Sequence, residues 1–494
     1  MSKRVLIIGG GISGLTAGVY AAKAGYETHL YEQQAYVGGE CTGWDRGGYH
    51  IDNCIHWMNG TAPGDSLNRL WQDIGALGPE TEIIHPDRMY TSELGGEEIT
   101  LWKDIDRTER ELLELSPEDE QEIKKLMHFC RLGGKVRIPA EKPPEMQSAL
   151  DGIRLMLTMV PALKIFKEYK GMDTRDLMER FQHPLIRCMI SDFCTRESMA
   201  SSFPLAYGSF AAGDGGIPRG GSREMAVRIG RQLVKCGGKI HTGKRAEEIL
   251  LKDGRAVGIR FLDKTAAEGE YVIPACDPQV TFGRLLSENY MPELLREMYD
   301  NREAYPVYTT FQAAYSLDSS ADLIGADRIL DGSGLDLFPG LGERINVKSY
   351  AYEPSFAPDG KHVIQVLTGG PEALYKSWAE LYREREAYLA KKNQMAEDIR
   401  KLLEQRFPEC CGKLALLDCW TPMTYERYCS AYKGFYQSCT VTKQSSRLPY
   451  PERKVDGLEN VYLAGQWQNP PGGLPGAAIA GKYAVQRMIK EDIS

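Results

Sequence analysis

Residues 4–32 read RVLIIGGGISGLTAGVYAAKAGYETHLYE. Val5, Leu6, Ile7 and Ile8 form an apolar run of the length expected for a buried parallel strand. Gly9, Gly11 and Gly14 follow at G-x-G-x-x-G spacing, and small and apolar residues at helical spacing run from Leu15 through Val19 to Ala22. Gly25 closes that helix, and residues 28–31 read as a second strand that ends in Glu32. The three glycines have separate tasks: Gly9 makes the tight turn, Gly11 lets a pyrophosphate approach the backbone, and Gly14 lets the helix pack closely on the strand. Ser13 sits in the first helical turn, where free N–H groups and the helix dipole receive phosphate charge. Glu32 lies at the distance where an acid accepts hydrogen bonds from adenosine ribose hydroxyls. A glycine triad alone is weak evidence. Set between strand, helix, strand and terminal acid, it reads as a dinucleotide-binding unit.

That unit does not separate NAD from FAD. Gly38 and Gly39 follow Glu32 closely, where an ordinary dehydrogenase would begin its next crossover. A second close backbone approach there suits a longer cofactor, FAD, that continues past its pyrophosphate. The other end of the chain agrees. Residues 460–465 (NVYLAG) read as another short buried strand, residues 466–476 as a glycine- and proline-rich turn, and residues 477–489 as a small-residue helix. Gly465, Gln466, Gly473, Leu474 and Pro475 are therefore expected at the cofactor, with a second helix N-terminus beside its ring.

The 494 residues suffice for two or three domains with substantial cores. A composition 42% hydrophobic and 26% charged is ordinary for a soluble globular protein, and a net charge of −8 gives no global reason to expect nucleic acid. Twelve cysteines are scattered without a CxxC pair, so no metal site is expected and a reducing, cytoplasmic compartment is. Met1 leads almost directly into the first strand, so no targeting peptide is expected, and no apolar run is long enough to span a bilayer.

Along the chain the glycine-rich texture of cofactor loops recurs three times. The expected architecture is α/β: a discontinuous, Rossmann-like FAD-binding domain with a parallel sheet, and an inserted mixed α+β substrate-binding domain. The FAD-binding segments are placed at residues 1–72, 213–290 and 441–494, and the substrate domain at 73–212 and 291–440. Within these, residues 107–132 and 372–406 each read as a long charged helix, and residues 239–242, 248–252 and 256–261 as strands. Residues 149–167 are mostly apolar, broken by Pro161, with Arg154, Lys164 and Lys167 among them. Two readings fit: a core helix pair, the commoner arrangement, or a surface suited to an anionic membrane interface.

These segments in this order resemble the phytoene desaturase, carotenoid isomerase and retinol saturase family of flavoproteins, within the wider amine-oxidase-like fold. The resemblance covers nearly the whole chain. It rests on the N-terminal unit with Gly38-Gly39, residues 215–222, Gly237-Gly238 through Ile249, residues 253–258, Ala275-Cys276-Asp277-Pro278, residues 357–361 and residues 465–481. It implies non-covalent FAD, with Glu32 on the ribose, the backbone near Ala246 on the adenine, and the turn from Gly465 to Gly476 around the ribityl chain and ring. It also implies oxidation, saturation or isomerisation of carbon–carbon bonds in long apolar substrates. The sequence departs from the family pattern at Gln466-Trp467 and in residues 48–58 (GYHIDNCIHWM), which bears on the substrate more than on the cofactor.

Removing or supplying a proton beside a flavin needs a nearby acid or base. His56 is the first candidate, since the resemblance places its loop against the ring, with a structural histidine bonded to backbone as the alternative; Asp52 is the second, its leading role being to hold its loop and catalysis the lesser one. Trp57 and Trp467 could line a tunnel or cover the ring, though buried aromatics are more often plain core; Cys54 could approach the flavin, though free cysteines are usually small buried apolar residues. Tyr305, Tyr308, Tyr432 and Tyr436 could line an apolar cavity, and strand packing explains them equally well. No second nucleotide motif is found. Electrons then pass to or from NAD(P) bound transiently, a quinone, oxygen or a protein partner. A flavin amine oxidase, a non-redox isomerase and a prenyl-binding carrier of the same fold are the competing readings. The oligomeric state has no sequence signal.

Overall fold

The computed structural model describes residues 3–325, 327–335, 337–338, 341–445 and 454–493. Strands Tyr271–Pro274, Arg4–Ile8, Glu27–Tyr31 and Lys239–His241 form a four-stranded sheet in that order, every pair parallel. Parallel strands must be joined by crossovers, and the first is the helix Ile12–Lys23. Residues 460–465 extend the sheet beside Tyr271–Pro274 through three backbone hydrogen bonds, from Val272 N to Asn460 O, Tyr462 N to Val272 O and Ala464 N to Pro274 O. They make one isolated bridge there, Val461 with Val272, and a second between Tyr462 and Lys454, rather than the full strand expected. The helix Ile12–Lys23 crosses the last helix, Gly473–Ile493, at glycine distance: a Cβ on Gly481 would come within 2.1 Å of Ser13 O.

The expected strands near residue 250 form an antiparallel three-stranded sheet of Ala246–Lys252, Arg255–Phe261 and Ala266–Glu268. The second large unit is a seven-stranded mixed sheet. Its order is Leu414–Trp420, Tyr308–Leu317, His362–Pro371, Arg344–Ser349, Arg328–Asp331, Arg88–Leu94 and Glu97–Trp102. Helices Glu120–Gly133 and Ser202–Ala211 pack beside it and touch through Gly133 and Gly208, where any side chain would collide with the facing carbonyls of Pro204 and Cys130.

Three expectations are corrected. Residues 107–132 are two helices, Ile105–Leu115 and Glu120–Gly133, because Pro117 cannot continue the first. Residues 372–406 are also two, Ala373–Arg383 and Arg385–Arg406, with extended backbone at Glu384. Residues 149–167 do form a helix pair, Ala149–Thr158 and Val160–Glu168, but not a core one: the first helix buries no residue.

Candidate functional site

The N-terminal unit builds a cradle. Gly9 adopts φ +106°, which turns the chain from the first strand into the helix. Gly14 has no room for a side chain, since its Cβ would lie 2.0 Å from Gly9 O. Gly11 is the opposite case: its Cβ would meet nothing in the protein closer than Gly38 O at 3.9 Å. Gly11 caps the helix without a side-chain hydrogen bond, so the first-turn amides keep their donor capacity. Gly38 N donates to Gly10 O at 2.8 Å, and Gly39 packs on the first turn with φ +61°. The buried Glu32 carboxylate accepts from Gly10 N at 2.7 Å and Gln34 N at 2.8 Å. Burial raises its pKa while these amides act against the rise. Ser13 Oγ and Thr42 Oγ1 are buried without a hydrogen-bond partner. Unpartnered hydroxyls beside a glycine turn and an uncapped helix start fit an anionic, hydroxyl-bearing dinucleotide.

The C-terminal turn faces this cradle. Gly465 (φ +124°), Gly472 (φ +87°) and Gly473 (φ +73°) bend the chain into the last helix. Both ends of the polypeptide line one cavity of about 1520 Å³. Gly9, Gly11, Ser13, Glu32, Gly38, Gly39, Ala246, Gly465, Gln466, Gly473, Leu474 and Pro475 all border it, whereas Gly14 packs behind it. The cavity continues past the turn to Trp57, Met58, Phe193, Ile329, Leu367 and Tyr436, an apolar and aromatic chamber under the seven-stranded sheet. Cys54 and Trp467 also border it, but Tyr305, Tyr308 and Tyr432 do not.

The two proton-transfer candidates fare differently. His56 borders the cavity, yet burial and then the nearby Lys348 charge push its pKa down to about 3. Lys348, itself buried, donates from Nζ to Ile55 O at 2.8 Å and His56 O at 3.1 Å and so fixes this loop. The imidazole is therefore neutral throughout the ordinary pH range, not poised near neutrality as its reference value suggests. Asp52 does not border the cavity. Its carboxylate accepts from Ser222 N at 2.6 Å, Ser222 Oγ and Cys54 N at 3.2 Å, and so pins the loop to the start of the helix Gly221–Lys235. These contacts are those of a residue that holds its loop, the first of the two roles expected for Asp52, and they keep its carboxylate off the cavity wall.

Sequence reasoning missed four polar residues on the cavity wall. Glu40, immediately after Gly39, is pushed up to about 8, first by burial and then by the charge of Asp277, against a hydrogen bond with Gln466. Burial takes Asp277 up to about 6 although Gln279 N (2.8 Å), Tyr299 OH (2.9 Å) and Tyr432 N (3.2 Å) donate to it. Under the large sheet, Asp327 Oδ1 and Asn346 Oδ1 are buried without partners, and burial lifts Asp327 to about 6. Only Asp277 had a signal, its Asp-Pro step. The others depend on neighbours distant in sequence.

The family described as flavin containing amine oxidoreductase matches residues 12–489. Curated relatives include the chloroplastic prolycopene isomerase of Daucus carota, 23% identical over 98% of this chain and 80% of that protein. The neurosporene-forming phytoene desaturase of Rhodobacter capsulatus is 23% identical over 98% of this chain and 93% of its own. Among solved structures, an oxidoreductase from Methanosarcina mazei aligns with a TM-score of 0.61 at 19% identity, covering 99% of this chain and all of that one. Cyclohexylamine oxidase from Brevibacterium oxydans aligns at 0.60 and 13% identity over the full length of both. At such identities the structures speak for the fold alone.

Proposed function

The chain belongs to the flavin containing amine oxidoreductase family, and from that premise we propose that it is an FAD-dependent oxidoreductase acting on carbon–carbon bonds of an elongated hydrophobic substrate, a polyene, isoprenoid or acyl chain. One observation carries the reading: the dinucleotide cradle and the aromatic chamber are a single cavity of about 1520 Å³, more than a small-molecule site usually needs. FAD is held non-covalently, with Glu32 on its ribose, Ala246 backbone at the adenine, Gly9, Gly11, Ser13, Gly38 and Gly39 around the pyrophosphate, and Gly465, Gln466, Gly473, Leu474 and Pro475 around the rest. When bound, the flavin supplies two-electron exchange with the substrate carbons. The chain's residues do the remainder. Trp57 and Phe193, with ring centroids 6.1 Å apart, exclude water from the chamber. His56, neutral and facing the cavity, relays a proton without storing one as imidazolium. We expect His56→Ala to slow turnover about 10- to 100-fold with flavin still bound. The pH–rate profile should keep its limbs, because no limb near pH 6.5 belongs to this imidazole; loss of such a limb in the variant would overturn the assignment.

Relatives named as prolycopene isomerases keep a second outcome open, rearrangement without net electron transfer. Anaerobic incubation with a carotenoid polyene separates the cases. Bleaching of the yellow protein with a more unsaturated product supports desaturation, and an isomerised product with unbleached flavin supports isomerisation. Bleaching by primary amines, with polyenes inert, would sink the carbon–carbon reading. NAD(P), as a transient electron partner, is tested by the same spectra. All twelve cysteines are free, which supports a reducing, cytoplasmic setting. Among the described residues no helix is long and apolar enough to cross a membrane, and the membrane contact we propose is peripheral.

A further inference from the structure

Of fifteen large hydrophobic residues exposed among the described residues, seven fall within residues 150–166: Leu150, Ile153, Met156, Leu157, Val160, Leu163 and Phe166. Single exposed apolar residues are ordinary, but a contiguous patch marks a contact surface. In the helix Ala149–Thr158, Leu150, Ile153 and Leu157 recur at helical spacing with Leu150 78% and Leu157 65% exposed. This helix fully buries no residue, with Leu155 half-buried toward the cavity, and its polar anchoring is at the N-terminal end. Ser148 and Asp151 form a capping box, and Lys142 pairs with Asp151 at 3.0 Å. The helix Val160–Glu168 buries Ala162 and Ile165 inward and presents Val160, Leu163 and Phe166 outward. A ten-residue helix is too short to be stable on caps alone, so its apolar face calls for a surface outside the protein.

Charge decides what that surface is. The nearby acids are each paired: Glu141 with Arg69, Glu145 with Arg487, Asp151 with Lys142, and Glu168 with Lys125 and Arg180. The cations Arg154, Lys164, Lys167 and Lys170 are exposed, and among the described residues none pairs with a carboxylate. Apolar residues at the centre with uncompensated cations around them match an anionic lipid surface, and they oppose a second copy of the same patch, which would bring like charges together. The patch also adjoins the cavity, because Leu155, Lys142, Pro144 and Gln147 line its wall.

We propose that the helix pair Ala149–Thr158 and Val160–Glu168 docks the protein on an anionic lipid bilayer and opens the cavity toward the acyl layer. The surface stands on its own residues; its purpose, passing an apolar substrate from membrane to cavity, rests on the proposed function. The test is co-sedimentation of the flavin-loaded protein with vesicles of phosphatidylcholine alone or with about one third phosphatidylglycerol. We expect binding to the anionic vesicles only, weakened by salt. A triple variant Leu150→Ser, Leu157→Ser, Leu163→Ser and a second, Arg154→Glu, Lys164→Glu, Lys167→Glu, should each lower it about 100-fold. Both should melt like the parent, because these side chains touch little in the protein. Parent-like vesicle binding by either variant, no binding by the parent, or self-association through this patch in light scattering would each overturn the proposal. Turnover of substrate dispersed in detergent is read in parallel: if it persists while vesicles are ignored, the docking surface fails and the catalytic reading stands.

Discussion

Gly11→Val is expected to yield a folded, colourless protein, whereas Gly14→Val should be severely destabilised. The two glycines belong to one motif and differ in what surrounds them. Gly11 has φ −70°, open to any residue, and a Cβ there meets no protein atom within 3.9 Å; the added bulk projects into the cavity that Gly11 borders. The apoprotein should therefore melt within about 1 kcal/mol of the parent. The valine occupies the space a pyrophosphate needs, so flavin affinity should fall about 100-fold or more, roughly 3 kcal/mol. At Gly14 the Cβ sits 2.0 Å from Gly9 O and 3.3 Å from Ala275 Cβ, so the helix must leave the strand it packs on. Overpacking of that kind costs about 3 kcal/mol or more. Flavin-to-protein ratio after FAD saturation and desalting, with the melting curve of each apoprotein, reads both outcomes. A fully yellow Gly11→Val protein would place the dinucleotide elsewhere. Glu32→Ala gives a milder comparison: without the carboxylate that Gly10 N and Gln34 N donate to, flavin should be retained about tenfold more weakly in a folded protein.

The contrast between these glycines marks how far the sequence reaches. The cradle was legible because strand, turn, helix and acid are contiguous, and local periodicity fixes each part. The break at Pro117 was also signalled, since proline ends a helix at the residue before it. The break at Glu384, where the backbone is extended, has no such residue to signal it. That Gly14 is the tight position and Gly11 the open one belongs to the same local pattern, since the atom a Gly14 side chain would strike is Gly9 O within the turn itself. Periodicity in residues 150–166 defined an apolar face but not what that face meets. Asp52 and His56 were found by their place in a loop, yet their roles depend on Ser222 and Lys348, far along the chain. A reference pKa describes a side chain in water, and His56, Glu40, Asp277 and Asp327 on this cavity wall each owe their shift first to burial.

Glu40 shows that last point at its strongest, and Glu40→Gln should stabilise the protein in alkaline solution while leaving it unchanged in acid. Burial, with Asp277 nearby, holds the folded-state pKa at about 8, whereas the unfolded chain titrates near the ordinary 4.5. Below about pH 4.5 both states are protonated and Glu40 contributes no pH dependence. Between there and about 8 the unfolded state releases the proton and the folded state keeps it, so stability falls as pH rises. Each unit is about 1.4 kcal/mol, and because the carboxyl partly faces the cavity, a total of about 2–4 kcal/mol is the reasonable expectation. Glutamine has the shape of the protonated acid and no proton to lose, so the fall disappears. Melts of flavin-free parent and variant should therefore coincide near pH 4 and separate steadily up to about pH 8. Asp277→Asn provides the internal control: with that charge removed the Glu40 pKa drops, and the gain from Glu40→Gln should shrink in the double variant. Glu40 follows Gly39 directly in the dinucleotide cradle, so its ionisation also sets a negative charge beside an anionic ligand. The parent should release flavin above about pH 8 while Glu40→Gln retains it. Parallel melting curves and equal flavin release at every pH would mean that Glu40 titrates as an ordinary surface carboxylate, and the buried-acid account of the cradle would be wrong.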